Sequence, residues 1–498
     1  MATDTAAPVI LTGNDLDLPA FAAAAERRRP VAISEDGWGR IAAAREIVEA
    51  IVADGRPAYG ITTGVGSQKE AAVSAGAASE YNRRLIAAHA TRVPGPLLEQ
   101  ATVRGALVYM ANAFAKGFSG ISPDLVRLIV DRINRADMPE IDASGSVGAS
   151  DLVPLAQIAQ WLLRQPEAEG LPRAKDALAL MNSNAISLAS GALRLAEADR
   201  LLAAFDLALA AALEGFRGNP SPLSPVANAA HRRRGQAESA ARTRCLLAGS
   251  ALWREGVPRQ LQDPLSFRCA SQAHGAAIDA LSRAEATWVG ELNSVHDNPV
   301  IDVVGRAAVS TGNMDTTAMS LAIDSLRLAI AKICDLSGER LHKQQWPAFS
   351  GLPIGLAEDE SAIGGAQFLN LGHIAASLIV SAKIWARPHL TLSVGQLADG
   401  VEDTAGYALH GVHDLQRLVD AAWKIAAIEL AVAVWAMRRR RLDRGALGIG
   451  VRPAYDRIGP QLPIGREGVE VFSLTPLIDA LRTGGMLEAC CEDAAQPV

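Results

Sequence analysis

Residues 141–161 read IDASGSVGASDLVPLAQIAQW. The tripeptide Ala-Ser-Gly stands complete at Ala143–Gly145, and six residues on it returns as Ala149-Ser150 running directly into Asp151, its glycine missing. The stretch Asp142–Asp151 is small, polar and without helical rhythm, so it reads as a loop. Two further stretches share this character. Tyr59–Gly66 (YGITTGVG) packs three glycines and three hydroxyl residues into eight positions, and Asn182-Ser183-Asn184 stands where a helix N-cap is expected. Bundle stability needs no such loops, and loops on a rigid scaffold are where function concentrates.

The rest of the chain is helical in pattern. Apolar residues recur at i, i+3 and i+4 through Leu193–Leu213, Ala276–Leu292, Met319–Leu336, Gly372–Trp385 and Leu415–Met437. Several of these segments are hydrophobic almost all round, as central helices of a large bundle are. Breaks fall at Arg217–Pro225, Gln344–Gly355 and Gly445–Pro453. The expectation is a mainly α protein, with a loop-rich active-site region over 1–200 and a helical bundle over 201–498.

Composition narrows the function. With 498 residues, 49% hydrophobic and a formal net charge of −6, the chain can bury a large core and is a poor partner for nucleic acid or an anionic membrane. The basic runs His231–Arg234 and Arg438–Arg441 adjoin Ala/Leu-rich helices and read as solvated helix faces or subunit contacts. Five cysteines without CxxC or Cys/His ligand spacing suggest a reducing cytoplasm, no disulfide framework and no metal site. The N-terminus shows no basic segment of a signal peptide. Lys424 and Glu429 interrupt the most apolar run, Ala421–Met437, which argues against a membrane span.

The segment GSVGASDLVPLAQ resembles the aromatic amino acid lyases: the histidine and phenylalanine/tyrosine ammonia-lyases and their aminomutase relatives. YGITTGVG is similar to that family's tyrosine loop, ALVYMANAFAKGFSGIS to the helix and turn before its cofactor loop, and ALMNSNA to its asparagine motif. LQDPLSFRC, ELNSVHDNP, STGNM, FSGLP and the Glu402-Asp403 pair follow in family order. The resemblance implies a long central helical bundle and a homotetramer whose sites each draw on three subunits.

In that family the Ala-Ser-Gly loop cyclises, with loss of water, into a methylidene-imidazolone electrophile. A backbone nitrogen must attack the carbonyl two residues back, which calls for a tight turn and small neighbours, and a glycine in third place supplies both. Here the prefix Gly145-Ser146-Val147-Gly148 aligns the triad with Ala149-Ser150-Asp151, one glycine short. Asp151 brings a Cβ and a charge to the attacking nitrogen, so the expectation is no prosthetic group.

Without the electrophile, the departing nitrogen must be a good leaving group by itself. A trimethylammonium group is one, and it has no lone pair with which to attack an electrophile. By resemblance Tyr59 is the base; phenol ionises near pH ~10, so its neighbours must favour the phenolate. Arg268 matches that family's carboxylate-binding arginine, and a guanidinium can grip a carboxylate through two parallel hydrogen bonds. The resemblance also implies that Asn182 and Asn313 line the pocket and that Gln262 lies near the reaction centre. His89, where histidine ammonia-lyases meet the substrate imidazole, and Glu402 read the ring, with Lys383 as a further polar contact. Two departures accompany the missing glycine: Leu265 replaces a second tyrosine, and Met314 followed by Asp315 replaces a phenylalanine.

The reading is thus a carbon–nitrogen lyase acting on a small histidine-like substrate. Its pattern is that of ergothionase-type members, which lack the electrophile and eliminate trimethylamine from ergothioneine, the betaine of 2-thiohistidine. The alternatives are a conventional ammonia-lyase or aminomutase that makes the electrophile despite the lost glycine, and a non-catalytic paralogue. The fumarase–aspartase signature is not found in this sequence.

Overall fold

A computed structural model describes residues 7–135, 137–358, 369–392, 396–462 and 472–495. The apolar rhythms correspond to long helices: Ala185–Phe216, Ala270–Leu292, Thr317–Gln345, Leu369–Trp385 and Ala408–Arg439. Strands are few and short, and the protein is mainly α. The chain divides into two compact units. One comprises Met1–Leu195, Ala284–Ile323 and Pro388–His413; the other comprises Ala196–Arg283, Asp324–Arg387 and Asp414–Val498. The Ala185–Phe216 helix runs through residue 200 unbroken.

In the first unit, Val9–Leu11 pairs in parallel with Val31–Ile33. The intervening helix, Leu18–Ala25, is capped by Asp17, with a proline in its first turn. The Gln100–Ala115 helix is buried on nearly every face. A short antiparallel hairpin joins Val300–Asp302 to Ala307–Val309. The Trp288 indole N–H donates to the Leu188 carbonyl at 3.0 Å, and the ring lies so close over Gly191 that no Cβ fits there. Loop residues 56–66, 145–151, 311–315 and 396–405 all belong to this unit.

The second unit is built on helices buried all round. In the Ala408–Arg439 helix, Ile425–Met437 is buried without interruption, with Glu429 inside the run and Lys424 exposed just before it. Glu429 forms a fully buried ion pair with Arg340, whose Nη2 lies 2.9 Å from Oε2. Much of the basic run at the helix end engages the protein itself. Arg440 Nε donates to the Gly215 carbonyl at 2.6 Å, and Arg438 stacks on Tyr455 at 4.6 Å. No helix among the described residues is long and apolar enough to cross a membrane.

Candidate active site

The first unit holds a cavity of about 1020 Å³. Segments that the sequence singles out meet on its wall, contributing Tyr59, His89, Ala149, Asn182 and Glu402.

Tyr59 sits on a loop tied by its own hydroxyls. Thr62 Oγ1 accepts from the Ala58 amide at 2.8 Å and donates to the Arg56 carbonyl at 2.6 Å. Gly60 takes a left-handed φ of 65° against Leu178, where a side chain would collide. The chain then turns so that the Gly66 amide donates to Tyr59 Oη at 3.1 Å.

The 145–151 loop is fixed from all sides. Thr316 Oγ1 donates to the Gly148 carbonyl at 2.8 Å, and the Tyr407 amide donates to the Val147 carbonyl at 3.0 Å. Ser150 adopts a left-handed φ of 78°, unusual for a residue with a Cβ. Its Oγ donates to Asn182 Oδ1 at 2.6 Å, and its amide donates to Asn184 Oδ1 at 3.0 Å.

Asp151 is fully buried and points away from the cavity. Its Oδ1 accepts from Ser146 Oγ at 2.6 Å and Ser187 Oγ at 2.8 Å, and its Oδ2 accepts from the Ser187 amide at 2.8 Å. Its own amide donates to the Ser183 carbonyl at 2.7 Å. Asp151 thereby satisfies an orphan amide in the first turn of the Ala185–Phe216 helix. Burial raises its carboxyl above the usual range, and the bonds from Ser146 and Ser187 pull it back. The complete tripeptide upstream lies elsewhere: Ser144 and Gly145 are exposed, and Ala143–Gly145 do not line the cavity.

Asn182 also donates through Nδ2 to the Asn298 carbonyl at 2.9 Å. His89 Nδ1 lies 2.8 Å from the Leu85 carbonyl, so as its donor the ring leaves Nε2 for a ligand. Burial raises the Glu402 carboxyl, and its attraction to His89 opposes the rise, which marks the two as electrostatic neighbours.

The remaining expected residues are placed differently. Asn313 is exposed and does not line the cavity, although Thr311, Gly312, Met314 and Asp315 around it do. Gln262, Arg268 and Lys383 belong to the second unit. Arg268 Nε donates to the Asp263 carbonyl at 2.9 Å, and with its amide turned over the Gln262 oxygen faces the Arg268 guanidinium. Lys383 pairs with Asp335.

Sequence reasoning missed Tyr81 and Arg84, which join the wall from the Ala78–His89 helix. The signal was available: Tyr81, Leu85 and His89 stand at i, i+4 and i+8 and so share one face. It also missed the support behind Asn184, where the buried His296 ring holds Glu291 Oε2 at 2.7 Å through Nε2. Among the described residues, no cluster of histidine, cysteine and carboxylate groups could hold a metal ion.

The model of the aromatic amino acid lyase family matches residues 16–459. Histidine ammonia-lyase of Stigmatella aurantiaca is 33% identical over 499 residues, covering 96% of both chains. Ergothionase from Treponema denticola, solved with desmethyl-ergothioneine sulfonic acid, superposes with a TM-score of 0.88 at 27% identity, covering 97% of this chain and 99% of that one. Histidine ammonia-lyase from Trypanosoma cruzi gives 0.83 at 26% identity, over 97% and 95%.

Proposed function

The chain belongs to the aromatic amino acid lyase family and is a carbon–nitrogen lyase, and from that premise we propose that it eliminates trimethylamine from ergothioneine or a closely related histidine betaine without a methylidene-imidazolone. The observation that carries this reading is the state of Asp151. To build the electrophile, the Asp151 nitrogen would have to attack the Ala149 carbonyl carbon. That nitrogen is committed to the Ser183 carbonyl, and the side chain is held by three hydrogen bonds. Moving it would strand a buried carboxylate, at ~1–3 kcal/mol, and uncap a helix, at ~0.5–2 kcal/mol. The residues present therefore do not fit the prosthetic group.

The chemistry then rests on the side chains. Tyr59 takes the β-proton, the C–H electron pair becomes the double bond, and the C–N pair leaves with neutral trimethylamine. The product is an acrylate conjugated with the ring, and the proton passes from Tyr59 to solvent. His89 and Glu402 face the ring, and Asn182 lies toward the carboxylate. Asp315, Glu402 and Asp403 give the cavity more acidic than basic groups, which suits a permanent cation. Placement of the base carries much of the rate, since the β-proton is only weakly acidic.

Arg268, Gln262, Asn313 and Lys383 complete the site from neighbouring subunits of a homotetramer. The Leu369–Trp385 helix supports self-association, for it exposes Ile374, Val380 and Ile384 along one side.

A second reading, a conventional histidine ammonia-lyase carrying the electrophile, is favoured by relatives of that name at 31–33% identity. One comparison separates the two. The purified protein is given histidine, hercynine and ergothioneine while its intact mass is recorded. The expected result is an unmodified mass, with trimethylamine and a conjugated acrylate formed only from a betaine. A chain lighter by two water molecules, releasing ammonia from histidine, would establish the second reading.

A further inference from the structure

Tyr81 lines the cavity with no assigned role. It projects from the Ala78–His89 helix, on the face that also carries Leu85 and His89. Its hydroxyl oxygen is buried, and its proton has no acceptor. A buried donor is costly to leave unmatched, so an acceptor is expected at some stage of the working cycle. Tyr59 lies on the same wall, its oxygen at the Gly66 amide. Val65, next to Gly66, lines the same wall, and its backbone bears on the Tyr81 phenol. Both phenols thus share a wall with the 65–66 turn.

We propose that Tyr81 is a positioning residue for the base: when Tyr59 is ionised, the Tyr81 O–H donates to its oxygen, so that the phenolate rests between two donors, the Gly66 amide and the Tyr81 hydroxyl. This deepens, and rests on, the reading of Tyr59 as the base.

The electrostatics of the wall give Tyr81 its importance. Burial, and then the nearby Tyr59, raise the Tyr81 phenol above its ordinary value. Tyr81 therefore holds its proton more firmly than a free phenol, and a phenol beside a phenolate is a charge-assisted donor. The other charged groups facing the pair offer little help. Asp315, Glu402 and Asp403 oppose a second negative charge. Arg84 is paired with Glu80 at 2.7 Å and its side chain is 79% exposed, so solvent screens it. His89 is drawn to Glu402. The Asp176–Met181 helix and the 148–152 segment present only apolar groups and backbone. Fixed dipoles aimed at the phenolate are what remains, and they need no reorganisation when the proton moves.

The test is Tyr81→Phe, with Tyr81→Leu as a second variant, read by tyrosinate absorbance against pH and by the pH profile of kcat/KM on ergothioneine. Tyr59→Phe identifies which part of the absorbance titration belongs to Tyr59. The expected result is that this part moves upward by about one pH unit in both Tyr81 variants. The acid limb of kcat/KM follows by the same amount, so activity near neutrality falls about tenfold and returns at higher pH. An unmoved titration overturns the proposal, whether KM rises or stays unchanged. So does a Tyr59→Phe variant that removes no absorbance change over the accessible range. If ergothioneine is not turned over, the functional reading fails and the absorbance titration still decides the role of Tyr81.

Discussion

Asp151, on the 145–151 loop, and Glu429, inside the Ala408–Arg439 helix, are both carboxylates with no exposure to solvent. The chain satisfies them by opposite means. Glu429 faces a guanidinium, with both oxygens engaged by Arg340, which also donates through Nη1 to the Ser266 carbonyl at 3.1 Å. Asp151 has no cation among its hydrogen-bond donors; it is held by the Ser146 and Ser187 hydroxyls and the Ser187 amide. Burial raises the Asp151 carboxyl above the ordinary range. A long cation suits a space between helices, where its stem packs against apolar neighbours. A tight loop beside a cavity has room only for small donors, and serines and amides hold its shape without adding positive charge.

Three substitutions of buried carboxylates sharpen that contrast. The largest loss of stability is expected at the ion pair. Glu429→Ala leaves Arg340 buried and uncompensated and should cost ~3–5 kcal/mol in chemical denaturation, whereas replacing both partners with apolar residues of similar volume should cost far less. Equal losses in the single and double variants would show that packing, not charge, dominates there. Asp151→Ala should cost less, ~1–3 kcal/mol, because hydroxyls left behind can turn to other acceptors. It should also lower activity more than stability, since the loop loses its anchor to the Ala185–Phe216 helix; a full-activity variant would break the link drawn here between anchor and site.

The smallest effect concerns Glu214, an intermediate case. Burial pushes its carboxyl up to about 7, while the Gly448 amide at 2.8 Å and Ser250 pull it down. A carboxyl raised on folding binds its proton more tightly in the native state. Its contribution is therefore fully present below the unfolded value near ~4.3 and is lost as pH rises through about 7. Glu214→Gln should flatten the dependence of Tm on pH across that window, and an unchanged slope would show that Glu214 does not titrate there.

Much of the molecule was legible from residue order. Ala/Leu periodicity marks the long helices because burial on one or all faces imposes a repeat of 3.6 residues. The glycine and hydroxyl loops 59–66 and 142–151 stand out because they break that repeat, and Tyr59, His89, Asn182 and Glu402 meet on one cavity wall. Tyr81 escaped notice because a lone tyrosine on an amphipathic helix looks like packing until its hydroxyl is seen buried without an acceptor. Asn313 stands exposed while its neighbours line the cavity, a distinction of side-chain direction that spacing does not encode.

The sequence by itself determined the helical architecture, the family and the loss of a glycine from the loop. Only the tertiary structure decided what occupies the vacated role: Asp151 turned inward to cap the Ala185–Phe216 helix. That outcome depends on the Ser146 and Ser187 hydroxyls and the Ser183 carbonyl converging on one point. Hydrogen bonds between distant segments form only once the chain has brought them within about 3 Å, and no local pattern of residues records that meeting.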